Sequence, residues 1–242
     1  MSSKVKKILF VIPAHNEESS IEKVVKDIRK ELNNVDILVI DDCSTDKTKE
    51  KARRQKAKVI TNTFNLGYAL SVQTGIKYAK KHNYDYVVQM DADGQHLASE
   101  AKKLLDAITR KDVDIVLGSR FKTKTGYKSP LFRRIGTKFF EYLIKILCGK
   151  TIKDPLTGFQ ALNKRTIDYY ARPGAYPKYP DARLIIEMLI KKYKIIEVPV
   201  KMDYRKTGSS MHNGILQPIS YMITQIYSCV IIFIKYVWRK NI

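Results

Sequence analysis

Two aspartates in the middle of the sequence are spaced so that both can bind one metal ion. Asp91 and Asp93 follow a run of β-forming residues that ends at Met90, and side chains two residues apart on an extended chain point the same way. Two carboxylates, completed by phosphate oxygens and water, suit Mg²⁺ or Mn²⁺. Such an ion neutralises a diphosphate and stabilises it as it leaves. Gln95, two residues further on, supplies a carbonyl oxygen as a further ligand.

A simpler interpretation fits the same acidic residues. Asp-x-Asp-Gly also occurs in ordinary solvated turns, so a turn without metal is the alternative. Glu17, Asp41 and Asp42 share this ambiguity, because they can accept hydrogen bonds from a base or ribose or can stabilise the helices that follow them. His15 and His96 flank the acidic segments, and neither is assigned a role because a lone histidine in a loop is usually incidental.

Alternating apolar runs and helical stretches predict the elements that position these residues. We expect strands at about 8–12, 37–40, 58–61, 86–90, 114–118 and 195–202, and helices at about 19–32, 66–81, 97–110 and 181–192, with a charged helix ending near residue 56. Ser19 and Glu22 have the spacing of a capping box at the start of the first helix. This alternation predicts an α/β fold whose central sheet is mainly parallel and flanked by helices.

Three polar segments, 13–17, 41–42 and 91–93, each follow a predicted strand directly. In open α/β sheets, ligands bind at the carboxyl ends of the strands, so this coincidence predicts an active site. The sequence contains no Gly-x-Gly-x-x-Gly and no Gly-x-x-x-x-Gly-Lys-Ser/Thr. Their absence weakens dinucleotide-dependent oxidoreductase and P-loop nucleotidase as interpretations.

Length and composition indicate one domain with a C-terminal appendage. A chain of 242 residues with 44% hydrophobic content is long enough for one well-buried core. We assign residues 1–213 to a catalytic domain and 214–242 to a membrane-associated helix. Three scattered cysteines argue against a disulfide framework. The apolar run at 8–12 is too short for a signal-peptide core, so we expect a cytosolic location.

The formal net charge of +21 is unevenly distributed. Residues 120–153 contain ten basic residues and one acid, and such a density attracts nucleic acid, acidic lipid headgroups or a phosphorylated substrate. A merely soluble basic face is the alternative. Within 121–150, apolar residues interleave with these charges at a roughly helical spacing, which is typical of a helix lying in a membrane interface. The apolar stretch 215–237 is interrupted by Pro218 and polar residues, so we expect a packed or in-plane helix rather than a span.

Taken together, these segments make the sequence similar to family 2 glycosyltransferases of the GT-A fold. The sequence most resembles the dolichyl-phosphate mannose synthase-like group of polyprenyl-phosphate sugar synthases, over roughly residues 7–213. Any one segment is unspecific, but seven in the family's order are specific. They are Ile12-Pro13-Ala14-His15-Asn16-Glu17, Val39-Ile40-Asp41-Asp42-Cys43-Ser44-Thr45-Asp46, Asn65-Leu66-Gly67, Met90-Asp91-Ala92-Asp93-Gly94-Gln95-His96, Gly118-Ser119-Arg120, Asp154-Pro155-Leu156-Thr157-Gly158-Phe159, and the stretch 205–211.

The resemblance implies roles for particular residues. Those expected to bind the nucleotide sugar are Pro13, Ala14, Asn16, Glu17, Asp42, Gly67 and Asp91. Those expected to hold Mg²⁺ or Mn²⁺ are Asp91, Asp93 and Gln95. Those expected to approach the acceptor phosphate are Arg120, Arg133, Arg205, Ser209 and Ser210. The implied catalytic residues are Asp93, Arg120, Arg205 and Asp154, the last at the position of a functional carboxylate near the acceptor.

The implied reaction moves a sugar from a nucleotide-diphosphate sugar to a polyprenyl phosphate, with inversion, at the cytosolic face of a membrane. A UDP-sugar is favoured over GDP-mannose. A lipid phosphate, with a second pKa of about 6, is already largely ionised near neutral pH and needs no strong general base. The sequence lacks the clear transmembrane helices of multipass members, so we expect attachment to the membrane as a monotopic protein or through a partner membrane protein. A homo-oligomer is compatible with the sequence. No Gln-x-x-Arg-Trp occurs, which favours a single transfer over polymerisation.

Three alternatives belong to different classes of protein. A glycosyltransferase acting on a hydroxyl of a saccharide or lipid-linked glycan would need a carboxylate base, and Asp154 is the candidate. A nucleic-acid-binding protein is supported by charge alone, and we expect no nucleic-acid partner. A non-catalytic membrane adaptor built on an inactive transferase fold is the third, and the intact Asp91, Asp93 and Arg205 argue against it.

Overall fold

The residues that the structure describes form one seven-stranded sheet in the order β3-β2-β1-β4-β6-β5-β7. The structure is a computed structural model that describes residues 6–110, 112–122, 131–177, 180–203 and 216–240, with only the backbone at 131–133, 216–222 and 237–240. The strands are β1(Ile8–Ala14), β2(Asp36–Asp41), β3(Lys58–Thr61), β4(Tyr86–Gln89), β5(Ile115–Ser119), β6(Gln160–Asn163) and β7(Ile195–Pro199). Only β6 runs against its neighbours, β4 and β5. The predicted α/β fold with a mainly parallel sheet is therefore confirmed.

Helices cover both faces of the sheet. They are α1(Ile21–Glu31), α2(Thr48–Arg54), α3(Tyr68–Lys81), α4(Ala98–Arg110), α5(Leu131–Cys148), α6(Lys164–Tyr170), α7(Ala182–Ile190) and α8(Leu216–Lys240). Successive residues of β1 alternate between the two faces, as the pleat of a strand requires. Leu9 and Val11 join the core beneath α3, α5, α7 and α8, whereas Phe10 and Ile12 join the core beneath α1, α2 and α4.

The apolar spacing of α1 explains why this segment is a helix and which face it buries. Ile21, Val24, Val25 and Ile28 are buried, and positions i, i+3, i+4 and i+7 form one stripe of a helix. The predicted capping box was one residue early. The N-cap is Ser20, whose side chain makes no cap hydrogen bond, because its hydroxyl donates instead to Glu17 Oε2 at 2.8 Å.

Two elements near the centre of the fold were not predicted. Strand β6 has only four residues, and helix α6 follows it at once. Strand β7 ends at Pro199, earlier than the predicted residue 202. Beyond β7, Met202 still forms an isolated antiparallel bridge with His96.

The C-terminal helix α8 packs against α7, and Cys229 lies in the core. None of the described helices is long and apolar enough to cross a membrane. The division of the chain at residues 213 and 214 stays a prediction.

Candidate active site

The polar segments after β1, β2 and β4 meet at one edge of the sheet. These three strands are adjacent and parallel, so their carboxyl ends lie side by side. The Asp42 amide donates to the Ala14 carbonyl at 2.8 Å, and the Met90 amide donates to the Val11 carbonyl at 3.1 Å. Pro13 and Ala14 are the last residues of β1 itself. The strand order changes direction between β1 and β4, and such a switch point opens a crevice for a ligand.

Asp91 is held from two sides by groups outside the Asp-x-Asp segment. The Tyr68 hydroxyl donates to Asp91 Oδ1 at 2.8 Å. The Asp91 amide donates to His96 Nδ1 at 2.9 Å, which places the hydrogen of a neutral imidazole on Nε2. That nitrogen lies 3.6 Å from Asp91 Oδ2. The His96 ring in turn stacks on Phe159, with ring centroids 4.6 Å apart. His96, to which the sequence assigned no role, therefore orients the backbone of Asp91.

Asp93 and Gln95 form the turn that follows. Asp93 Oδ1 accepts the Gln95 amide hydrogen at 2.9 Å, and Gly94 between them has a φ of +78°. The Gln95 carbonyl accepts the Asp203 amide hydrogen at 2.9 Å. The chain therefore turns after Asp91 and does not continue the extended strand that the predicted alignment of the two carboxylates assumed. The turn of the simpler interpretation is present, and both aspartates belong to it.

The chemistry of this loop fits a divalent ion that is shared with a ligand. Carboxylates are the ligands that Mg²⁺ prefers, and Mg²⁺ usually takes one or two of them together with phosphate oxygens and water. Asp91 retains 29% exposure of its side chain. Among the described residues, no group of three or more His, Cys, Asp and Glu side chains could hold a metal ion by themselves. Asp91 and Asp93 therefore suit an ion whose coordination a diphosphate completes.

Asp42 is committed to holding the loop before α3. Its Oδ1 accepts hydrogen bonds from Asn62 Nδ2 at 2.8 Å and from the Leu66 amide at 2.9 Å. Its Oδ2 accepts the Gly67 amide hydrogen at 2.8 Å. Gly67 adopts a φ of +84°, which glycine reaches without strain. The side chain predicted to touch the nucleotide thus holds the backbone of the loop before α3.

Asn16 and Glu17 fasten the loop after β1 to the loop after β2. Asn16 has a φ of +53°, its amide donates to Ser44 Oγ at 3.0 Å, and its Oδ1 accepts the Thr45 amide hydrogen at 2.9 Å. The Glu17 amide donates to Thr48 Oγ1 at 2.8 Å. These bonds hold the two loops together as one rim of the crevice.

Arg120 and Asp154 form a second polar cluster at the same edge. Because β5 is parallel to β4, Arg120 leaves the sheet beside the Asp91 loop, and the reversed β6 begins there too. The Arg120 guanidinium donates to both Asp154 oxygens at 2.7 Å. Asp154 is fully buried, and the Asp154 and Lys153 amides donate to Glu197 at 2.8 and 2.9 Å. Asp154 therefore faces Arg120 rather than solvent.

The remaining predicted residues lie at the limits of the description. The backbone of Arg133 belongs to the first turn of α5. Arg205, Ser209 and Ser210 lie outside the described residues. The chain reaches that segment from Asp203, whose amide is bonded to Gln95.

A sequence model of glycosyl transferase family 2 matches residues 9–170, more than half of the chain. The chain belongs to glycosyl transferase family 2. The resemblance drawn from the seven segments is thereby confirmed.

Curated relatives of this family 2 glycosyltransferase include enzymes named for lipid-phosphate acceptors. The dolichol-phosphate mannosyltransferase of Pyrococcus furiosus is 34% identical over 86% of this chain, which spans 60% of that protein's length. The UDP-N-acetylglucosamine–dolichyl-phosphate N-acetylglucosaminyltransferase of Methanococcus voltae is 29% identical over 90% of this chain and 93% of its own. A solved structure of glucosyl-3-phosphoglycerate synthase from Mycobacterium tuberculosis, in complex with Mn²⁺, UDP-glucose and phosphoglyceric acid, has a TM-score of 0.69. It is 21% identical and covers 96% of this chain and 79% of that one, a likeness that shows the fold.

Several site residues of this glycosyltransferase were missed from the sequence. They are Tyr68, Gln89, Tyr176 and Glu197. One signal was available, because Gln89 is a polar residue at the end of an otherwise apolar run and is buried. A buried amide needs partners, and it finds them in Tyr68 and Tyr176. The others are brought to the site from distant parts of the chain, and no local pattern marks them.

Proposed function

We propose that this glycosyltransferase moves a sugar from a UDP-sugar to a polyprenyl phosphate at the cytosolic face of a membrane. The observation that carries the proposal is the arrangement at one sheet edge, where Asp91 and Asp93 follow β4 and Arg120 follows β5. A site with carboxylates for a metal-bound diphosphate beside a guanidinium for a phosphate suits this pair of substrates. The relatives named for dolichyl-phosphate acceptors support the same acceptor class.

The donor would lie along the crevice between β1 and β4. The rim made by Asn16 and Glu17, together with the loop held by Asp42 up to Gly67, would enclose the nucleoside. A uridine nucleotide is favoured because the Methanococcus voltae relative is named for a UDP-sugar, and because neighbouring folds were solved with UDP and Mn²⁺ or Mg²⁺. Asp91, Asp93 and Gln95 would hold the divalent ion. When bound, the ion neutralises the leaving diphosphate.

The acceptor phosphate can attack without a general base. A phosphate oxygen of the lipid forms a bond to the anomeric carbon while the bond from that carbon to the diphosphate breaks, and the nucleoside diphosphate leaves with the electron pair. An in-line displacement of this kind inverts the anomeric centre. Catalysis then depends on positioning and on charge neutralisation. Arg120 is suited to the second task, because a guanidinium is always positively charged and Asp154 holds it in place through two hydrogen bonds.

The state of Asp154 favours a phosphate acceptor over a hydroxyl acceptor. A general base must reach the proton that it removes, within hydrogen-bond distance. Asp154 is fully buried, and both of its oxygens accept hydrogen bonds from Arg120. Asp154 is therefore better placed to hold Arg120 in position than to deprotonate a sugar hydroxyl.

Two exposed apolar stripes suggest how the enzyme reaches its lipid. Ile135, Phe139, Tyr142 and Ile146 are exposed on α5, and Ile223, Tyr227, Val230, Ile231 and Ile234 are exposed on α8. Most neighbours in each set are three or four residues apart, which places each set along one face of its helix. Phe140 and Ile144 on the opposite face of α5 are buried in the core. An exposed apolar face with basic neighbours is suited to a membrane interface.

Charge favours a bilayer over a second copy of this chain as the partner of these stripes. Arg134, Lys138 and Lys145 on α5 and Lys235 on α8 are exposed near them. Two copies of the surface facing one another would bring like charges together, whereas the cytosolic leaflet carries acidic lipids that attract lysine and arginine. We therefore propose peripheral attachment through α5 and α8.

Transfer of a radiolabelled sugar to a short polyprenyl phosphate tests the proposal. UDP- and GDP-sugars would be compared with Mg²⁺, Mn²⁺ or a chelator, beside Asp93→Ala. We expect a metal-dependent lipid product from a UDP-sugar, lost in the variant. Metal-dependent hydrolysis of the donor without a lipid product would indicate that the acceptor is a hydroxyl group and not a lipid phosphate. No engagement of any donor would refute the enzymatic function.

A further inference from the structure

A series of three hydrogen bonds ends on the carboxylate of Asp91. The Tyr176 hydroxyl donates to Gln89 Oε1 at 3.2 Å, and Gln89 Nε2 donates to the Tyr68 hydroxyl at 2.8 Å. Tyr68 then donates to Asp91 Oδ1 at 2.8 Å. The series joins the segment before α7, the end of β4 and the first residue of α3. Three separate parts of the fold thus act on one carboxylate.

The amide of Gln89 determines the direction of the last bond. Its oxygen accepts from Tyr176, so its nitrogen is the atom that faces Tyr68. The Tyr68 oxygen therefore receives a hydrogen from Gln89 and has its own hydrogen to give. A phenol has one such hydrogen, and Asp91 accepts it.

Gly158 closes this arrangement on a further side. A Cβ at residue 158 would lie 2.6 Å from the Tyr68 hydroxyl oxygen and 3.6 Å from Asp91 Oδ1. The first distance is shorter than real Cβ contacts, so a side chain at residue 158 would displace the Tyr68 hydroxyl. Packing as well as hydrogen bonding therefore holds the Tyr68 hydroxyl against the Asp91 carboxylate.

We propose that Tyr68 is a positioning residue, which fixes the rotation of the Asp91 carboxylate before a metal ion and a nucleoside diphosphate bind. The inference rests on the proposed function, in which Asp91 is a metal ligand. Groups that orient a metal ligand typically change metal affinity or activity by roughly 10- to 100-fold when they are removed. Tyr68→Phe removes the orienting hydroxyl and leaves Asp91, Asp93 and Gln95 in place.

The chain offers a matched control for this substitution. The Tyr84 hydroxyl donates to Asp36 Oδ2 at 2.9 Å, which is another tyrosine-to-aspartate hydrogen bond. Asp36 is the first residue of β2. The bond therefore lies at the amino ends of the parallel strands, whereas the site lies at their carboxyl ends. Tyr84→Phe therefore removes the same group from the same kind of bond without touching the metal loop. A second test variant, Gly158→Ala, keeps the hydroxyl and displaces it.

Binding of Mn²⁺ in the presence of UDP, without acceptor, is the decisive measurement. The loss of the free-ion signal in electron paramagnetic resonance gives the affinity for the wild type and the three variants. We expect roughly tenfold weaker Mn²⁺ binding for Tyr68→Phe and for Gly158→Ala, with Tyr84→Phe equal to the wild type. In transfer assays, saturating Mn²⁺ should restore most of the activity of Tyr68→Phe but not that of Asp93→Ala.

Two results would overturn the inference, and they are distinguishable. A folded Tyr68→Phe that binds Mn²⁺ as tightly as the wild type would show that the hydroxyl does not position Asp91, while the proposed function stands. A wild type that binds no Mn²⁺ with UDP would refute the metal site itself and the role of Tyr68 with it. If Tyr68→Phe does not fold, unchanged Mn²⁺ affinity in Gly158→Ala would equally contradict the inference.

Discussion

Arg120 and Asp154 form a buried bidentate ion pair, with guanidinium-to-carboxylate distances of 2.7 Å on both sides. The Arg120 amide also donates to Asp154 Oδ2, at 2.9 Å. Glu197 anchors the backbone of this pair by accepting the Asp154 amide hydrogen at 2.8 Å. Three segments of the chain are thereby joined where the acceptor is proposed to bind. Removal of Arg120 or Asp154 would leave the other charge buried without this ion pair.

The first prediction separates a positioning role of Asp154 from a role as general base. Asp154→Asn should raise the KM for polyprenyl phosphate and reduce turnover about tenfold, because Arg120 loses one of its two carboxylate bonds. Asp154→Ala should in addition destabilise the fold by about 3–5 kcal/mol. Steady-state kinetics at varied acceptor concentration and urea unfolding would measure these effects. A loss of turnover of roughly a thousandfold at unchanged KM would instead indicate general base catalysis.

The second prediction concerns the exposed stripe of α5. Ile135→Ser combined with Phe139→Ser should weaken binding to vesicles that contain acidic lipid by at least about tenfold, because fully burying each large apolar side chain contributes roughly 1.5–3 kcal/mol. Sedimentation with vesicles at low and high salt would measure it. Phe64→Ser is the control, since Phe64 is even more exposed than Ile135 and Phe139 but follows β3, the strand at one end of the sheet order. Equal weakening by the control would count against a specific α5 surface.

A third prediction tests the packing of α3 on β1. A Cβ at residue 75 would lie 2.2 Å from Val11 Cγ1, so Gly75→Ala should destabilise the protein by about 1–3 kcal/mol through overpacking. Val11→Ala removes the atoms in conflict. The double variant should therefore lose less stability than the sum of the single variants. Urea unfolding of all three would decide, and strictly additive losses would contradict the close contact.

The fourth prediction concerns the pH dependence of thiol modification. Burial raises the pKa of Cys148 to about 11 and that of Cys229 to about 12. A raised pKa keeps the thiol neutral at pH 8, and the thiolate is the reactive form. Iodoacetamide at pH 8 should therefore modify the partly exposed Cys43 first. Mass spectrometry should show that modification of Cys148 and Cys229 increases as the pH approaches 11, or when urea unfolds the protein. Rapid modification of Cys229 in the folded protein at pH 8 would contradict its burial.

The sequence by itself determined the class of the fold and the edge at which the chemistry lies. Strands β1, β2 and β4 were found because each is a short apolar run that a polar segment follows at once. An apolar run and the polar residues that end it span only a few positions. They can therefore be recognised without knowing which strands are neighbours in the sheet. The carboxyl-end rule for parallel strands then placed Asp91 and Asp93 beside the loops after β1 and β2.

Only the tertiary structure decided which groups these carboxylates touch. The reversed strand β6 was not predicted from the sequence, because a strand of four residues is too short to show a period of its own. Its direction brings Asp154 to Arg120, 34 residues away. Tyr68 reaches Asp91 across 23 residues in the same way. The packing of the whole sheet determines these partners, because its free energy comes from contacts between residues that are distant in sequence. Local residue preferences therefore do not predict them.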